Sequence, residues 1–159
     1  MTNDATMTAA TGMTAMTMTT AAVAAPRARR WARSAGAVLG GMLASAALAM
    51  GTDEVLHLIG VFPPINQVTY EAPRFVAATT YRVIYAILGF YLIARLAPNR
   101  PWRHVGVAAA IGLVASIAGV VATMSHDMGP PWYPVALAVT TLPCAWLGGR
   151  LRARRSGTL

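Results

Sequence analysis

Arg82 stands inside the stretch YRVIYAILGFYLIARLAP, residues 81 to 98, and no further charge follows it until Arg95. A guanidinium in so apolar a setting could anchor an anionic substrate, or form an ion pair that gates a cavity. The simpler readings are a side chain that snorkels to water, or one locked for assembly to Asp53, Glu54, Glu71 or Asp127. His57, His126 and Asp127 form a second group, since imidazole and carboxylate together can hold zinc or another divalent ion. No HxxxH or CxxC spacing supports a metal. His57 follows Asp53 by four residues and Glu54 by three, which on a helix predicts a local hydrogen bond. Met50, Met124 and Met128 could present thioethers to Cu(I), but no Met-x-x-Met spacing occurs and methionine in apolar helices mostly packs. No metal or cofactor is expected on these grounds.

Whether Arg82 is an edge or an interior residue follows from length. Residues 83 to 94 reach only about 18 Å as a helix, against roughly 30 Å of bilayer hydrocarbon. Taken from Phe75 to Ala94, the apolar segment reaches about 30 Å. Arg82 therefore lies within a span, about 11 Å below its outer edge. Helical side chains lean toward the N-terminus, so the guanidinium can reach outward toward water or a carboxylate. Ala78, Arg82, Tyr85, Ala86 and Gly89 share one face, whose small members predict packing against other spans.

Three more uncharged blocks have similar length, giving spans at 34–52, 75–94, 105–125 and 132–149. The chain is 56% hydrophobic and only 11% charged, where soluble domains carry about a quarter charged residues. The expected fold is an all-α membrane bundle of four transmembrane helices occupying 34–150. Residues 1–33 read as a disordered tail of Thr, Ala and Met that ends in a basic juxtamembrane segment, and 151–159 as a basic tail. After the first span, Gly51 can end the helix and Thr52 or Asp53 can cap another. Val55 to Phe62 is too short to cross a membrane and predicts a short helix on the outer surface.

The net charge of +8 comes entirely from arginine. Arg27, Arg29, Arg30 and Arg33 precede the first span, Arg95, Arg100 and Arg103 join the second to the third, and Arg150, Arg152, Arg154 and Arg155 follow the fourth. Four spans put all of these on one side, leaving Arg74 opposite with Asp53, Glu54, Glu71 and Asp127. The positive-inside rule then predicts a bacterial-type inner-membrane protein with both termini cytoplasmic. Trp31, Trp102 and Trp146 fall near the inner interface, and Tyr70, Trp132 and Tyr133 near the outer one. Placed this way, the basic charge orients the chain in lipid and implies no nucleic acid partner. A rival reading takes 26–49 as a signal peptide with Ala-Leu-Ala at its end; the long stretch upstream of the apolar run argues against it. The lone Cys144 excludes an internal disulfide.

Small residues recur at fours on two faces of the first span: Gly36, Gly40 and Ala44, and Ala37, Gly41 and Ser45. Such faces let helices approach closely. Pro143 removes a backbone bond to the Val139 carbonyl, which Thr140 and Thr141 can help satisfy. The first, third and fourth spans contain no carboxylate, the group that small four-span proton-coupled multidrug exporters require. No phosphate-binding glycine loop, nucleophile elbow or HExxH occurs, so no enzymatic activity is expected. The leading expectation is a non-enzymatic structural, accessory or interaction protein whose partners are the bilayer and a second copy or another membrane protein. The alternative is a small transporter or channel with Arg82 in an outward-facing vestibule.

Overall fold

A computed structural model describes residues 3–63, 70–126 and 129–155, with side chains described from Arg29 onward. The described residues form four α-helices and no strand: α1 (Asn3–Leu58), α2 (Ala72–Leu96), α3 (Pro101–Ser125) and α4 (Trp132–Arg155). Three of them are long and apolar enough to cross a membrane: Arg29–Leu58 within α1, then α2 and α3. α3 is the most apolar, with mean hydropathy 2.4 against 1.5 for the other two. α4 has a comparable length of 24 residues, but three aromatics with polar atoms, two prolines, two threonines and four arginines dilute its hydrophobicity.

α1 departs from expectation at both ends. Its backbone takes in the Thr-, Ala- and Met-rich residues whose composition suggests a disordered tail. Ala and Met are strong helix formers, and extending an existing helix needs no new nucleus. At the other end, no separate surface helix forms at 55–62. α1 runs through Gly51 to Leu58 and stops at Gly60, whose φ of 74° is the left-handed conformation that glycine takes readily. Val61 N–H then bonds to Leu56 O at 3.0 Å and Gly60 N–H to His57 O at 3.1 Å, a pattern that closes a helix C-terminus. Gly51 is passed over because its neighbours are engaged as helix members. Thr52 donates back to Leu48 O at 2.9 Å instead of capping a new helix.

α2 is the centre of the bundle, packing against α1, α3 and α4. α4 also packs along α3, whereas α1 meets α3 only slightly and does not meet α4. The closest contacts are made by glycine. A Cβ on Gly41 would lie 2.7 Å from the Gly89 carbonyl oxygen, so α1 and α2 cross almost backbone to backbone. One on Gly148 would lie 2.7 Å from Ile87 O, fixing α4 on α2 in the same way. Of the two small-residue faces of α1, the one with Ala37, Gly41 and Ser45 is used against α2. Gly36 and Gly40 stay exposed, with open space where a Cβ would be.

The buried core is one cluster in the arginine-rich half, formed by Val38 of α1, Phe90, Ile93 and Ala94 of α2, Val105, Ala108 and Ala109 of α3, and Cys144 and Ala145 of α4. All the buried residues of α3 lie in its first three turns. Toward the other end α1 and α3 therefore part company, and a cleft opens between them.

Candidate functional site

At the end of the bundle away from the core, α1 and α2 are joined by polar side chains. The unbroken course of α1 carries Asp53 opposite Arg82. Arg82 Nη2 donates to Asp53 Oδ2, and the Tyr81 hydroxyl donates to Asp53 Oδ1, so each carboxylate oxygen has its own donor. The neighbouring pair repeats the link: the Tyr85 hydroxyl lies 2.9 Å from Thr52 Oγ1. Thr52 has one hydroxyl hydrogen and gives it to Leu48 O, so Tyr85 is the donor across the interface.

Aromatic rings enclose the guanidinium. Arg82 Cζ lies 5.9 Å from the centre of the Tyr81 ring and 5.6 Å from that of Tyr133, within cation–π range of both. Tyr133 belongs to α4 and packs edge-on against Phe75 of α2 at 5.0 Å, with Trp132 beside it. Arg82 thus ties three helices together. The Arg82 and Asp53 side chains retain 30% and 24% exposure, which places the pair at the rim of the bundle and not in a dry interior. An ion pair with both members bonded offsets its own desolvation; either member alone would not. As chemistry, this is a fastening. Each oxygen of Asp53 accepts one bond from α2, and the carboxylate matches the Arg82 charge.

The other candidate residues are not brought to Arg82. Glu71 pairs with Arg74, three residues on, at 3.2 Å and is largely exposed. Glu54 is exposed. Asp127 lies outside the described residues, as does Met128. His57 does not bond back to Asp53 or Glu54 as its spacing suggests. Its Nδ1 lies 2.8 Å from Pro63 O and donates to that carbonyl, and its ring meets Phe62 edge-on at 5.6 Å. The imidazole therefore ties down the chain leaving α1. His126 is exposed just beyond α3. Among the described residues, no three His, Cys, Asp or Glu side chains come together as a metal-binding group.

Beside the ion pair runs the cleft, about 290 Å³, with α2 as its floor, α1 as one wall, and α3 and α4 as the other. Arg82 lines one end; Ile93 and Ala108 line the end against the core. Between them the lining is apolar apart from the hydroxyls of Ser45, Ser116, Thr140 and Thr141. Thr140 Oγ1 donates to Ala136 O at 2.8 Å and Thr141 Oγ1 to Leu137 O at 2.9 Å. These threonines were expected to serve the Val139 carbonyl freed by Pro143; they bond one turn earlier instead. Ser116 of α3 lies 3.4 Å from Thr141 Oγ1, a polar touch between α3 and α4. Cys144 is buried in the core, its Sγ 3.8 Å from Val83 O.

Sequence reasoning passed over Tyr81, Thr52 and Tyr133. A signal was present for the first: a tyrosine inside an apolar span carries a hydroxyl that needs a partner, and Tyr81 and Tyr85 sit four apart on one face. No protein-family model, curated protein or solved structure matches the chain.

Proposed function

We propose that the chain is a small multi-pass integral membrane protein that acts without catalysis, by packing its α1 face against a second copy or another membrane protein. The single observation behind this is the division of labour on α1. One small-residue face is consumed by α2, while Gly36 and Gly40, at the spacing that favours close helix contact, have open space beside them. α1 also has only one substantial neighbour in the bundle, so most of its circumference is available.

The finer layout belongs to the same proposal. α4 packs along α2 and α3 and crosses with them, making four spans. Arg29, Arg30 and Arg33, the α2–α3 loop and the end of α4 then face the cytoplasm, as does each terminus. With the Asn99 amide oriented so that its nitrogen donates to Pro98 O, its oxygen accepts from Arg30 Nη2 at 3.2 Å, which supports a common level for these segments. A bacterial-type inner membrane is the expected location.

The test is cross-linking in membranes from cells expressing the full chain, with co-purified proteins identified. Gly40→Leu should abolish a cross-linked dimer or partner while leaving the folded bundle intact. Unchanged cross-linking in Gly40→Leu and Gly36→Leu would overturn the interaction reading. A second reading, a transporter or channel, is favoured by the cleft that reaches Arg82. It requires that Ser116→Cys, on the cleft wall, react with a membrane-impermeant thiol reagent applied from the outer side.

A further inference from the structure

The arginine-rich end of the bundle gathers cations that no side chain in this part of the sequence can neutralise. No acidic residue occurs between Asp4 and Asp53, between Arg74 and Asp127, or after Asp127. Within this end, two guanidiniums stand beside one tyrosine, Tyr91. Arg155 of α4 donates from Nη1 to the Tyr91 hydroxyl of α2 at 3.4 Å, with its Cζ 5.8 Å from the ring centre. Arg95 stands one turn further along α2, four residues after Tyr91 and so on the same helix face. The helices cannot move apart to relieve this. Gly148 holds α4 against the α2 backbone beside Tyr91, where an added Cβ would lie 2.8 Å from Tyr91 N. The hydroxyl that accepts from Arg155 removes no charge, so both guanidiniums are left to be matched by an anion.

We propose that Arg95, Arg155 and Tyr91 bind the phosphate of an anionic phospholipid. The inference rests on the membrane reading above. Two guanidiniums present forked donors suited to phosphate oxygens. The Tyr91 oxygen accepts from Arg155, which leaves its own hydrogen for a third phosphate oxygen. Lipid is favoured over free phosphate by position. Tyr91 and Arg95 close an apolar helix long enough to cross a bilayer. On α4, Trp146 is 51% exposed and carries Arg150 4.7 Å over its ring, a pairing suited to the headgroup level. The site therefore lies where a headgroup lies, with lipid chains on its apolar side.

The experiment is native mass spectrometry of the full chain in detergent, titrated with phosphatidylglycerol or with phosphatidylcholine. Wild type should retain phosphatidylglycerol stoichiometrically and phosphatidylcholine weakly. Arg95→Gln with Arg155→Gln should weaken phosphatidylglycerol retention roughly thirtyfold, at about a factor of five per arginine. Arg29→Gln with Arg103→Gln removes the same charge from the same end and should change it less than about threefold. Equal losses in the two doubles would reduce the effect to a diffuse field and overturn the site. So would equal retention of the two lipids by wild type. Displacement of bound lipid by millimolar inorganic phosphate would overturn the choice of lipid. Should the first double fail to fold, Tyr91→Phe keeps both arginines and must still lower retention several-fold; an unchanged value counts against the site. Alkaline carbonate separates the two levels: release of wild type from membranes removes the membrane reading and the site together, whereas the outcomes above remove the site alone.

Discussion

Arg82→Ala leaves Asp53 with one donor, Tyr81, and an unneutralised charge at the rim of the bundle. Removing one partner of a fully buried ion pair costs about 3–5 kcal/mol, because the survivor keeps its desolvation without compensation. With 30% and 24% of the two side chains still exposed, water relieves part of that, and about 2–3 kcal/mol is expected. That lowers the folded-to-unfolded ratio about 30- to 150-fold. Asp53→Ala should cost at least as much, since it strands Arg82 and removes the acceptor of the Tyr81 hydroxyl together. The double variant Asp53→Ala with Arg82→Ala strands no charge and should be less destabilised than the sum of the singles by about 1–3 kcal/mol. The assay is reversible unfolding of the purified protein in mixed micelles, with the transition followed by tryptophan fluorescence. Single-variant losses that simply add would mean that the two side chains do not interact, and the reasoning would fail at its first step.

Gly41→Leu should abolish the folded bundle or shift α1 off α2, because the added side chain meets the Gly89 carbonyl and Ile93; circular dichroism with thermal unfolding checks it. Gly40→Leu, one residue away, should leave the unfolding transition within about 0.5 kcal/mol of wild type, since nothing lies near that position. Gly60→Ala should destabilise the end of α1 by about 1 kcal/mol through its left-handed backbone, read as faster amide exchange at Val61 and Phe62. Tyr85→Phe deletes the bond to Thr52 and should cost about 0.5–1.5 kcal/mol in the same unfolding assay.

Much of this architecture is legible before any coordinates, because long uncharged apolar blocks mark helices long enough to cross a membrane. The uncharged lengths of α1, α2 and α3 fix their existence, and the shortness of 83–94 alone puts Arg82 inside a helix. The identity of its partner was not legible. Asp53, Glu54, Glu71 and Asp127 are all within plausible reach along the sequence, and choosing among them depends on whether α1 stops at Gly51 or at Gly60. Both are glycines followed within a few residues by plausible turn or cap chemistry. Local rules favour the first, since Thr52 and Asp53 are good caps. Tertiary contacts decide for the second: Tyr81, Arg82 and Tyr85 engage Thr52 and Asp53 in their helical positions, where an interior glycine costs only about 1 kcal/mol. The same dependence explains His57, whose bond to Pro63 O is available only after the chain has turned at Gly60.

The distribution of contacts gives the ion pair a mechanical meaning. On the proposed membrane reading there is no hydrophobic drive toward helix association, and α1 is held by close packing and by polar links. Its packing is concentrated at the Gly41–Gly89 crossing, near the core. Its polar links are Thr52–Tyr85 and Asp53–Arg82, about 18 Å further along the helix. Two fixed points define a line; one defines a pivot. α1 does not meet α4 and parts from α3 beyond the core, so among the described residues its far end is held to the bundle through α2. The cleft wall that contains Met42, Ser45 and Ala49 lies between those two points. The polar fastening thus holds α1 to α2 at one end of the cleft, and Arg82 lines that cleft while holding Asp53.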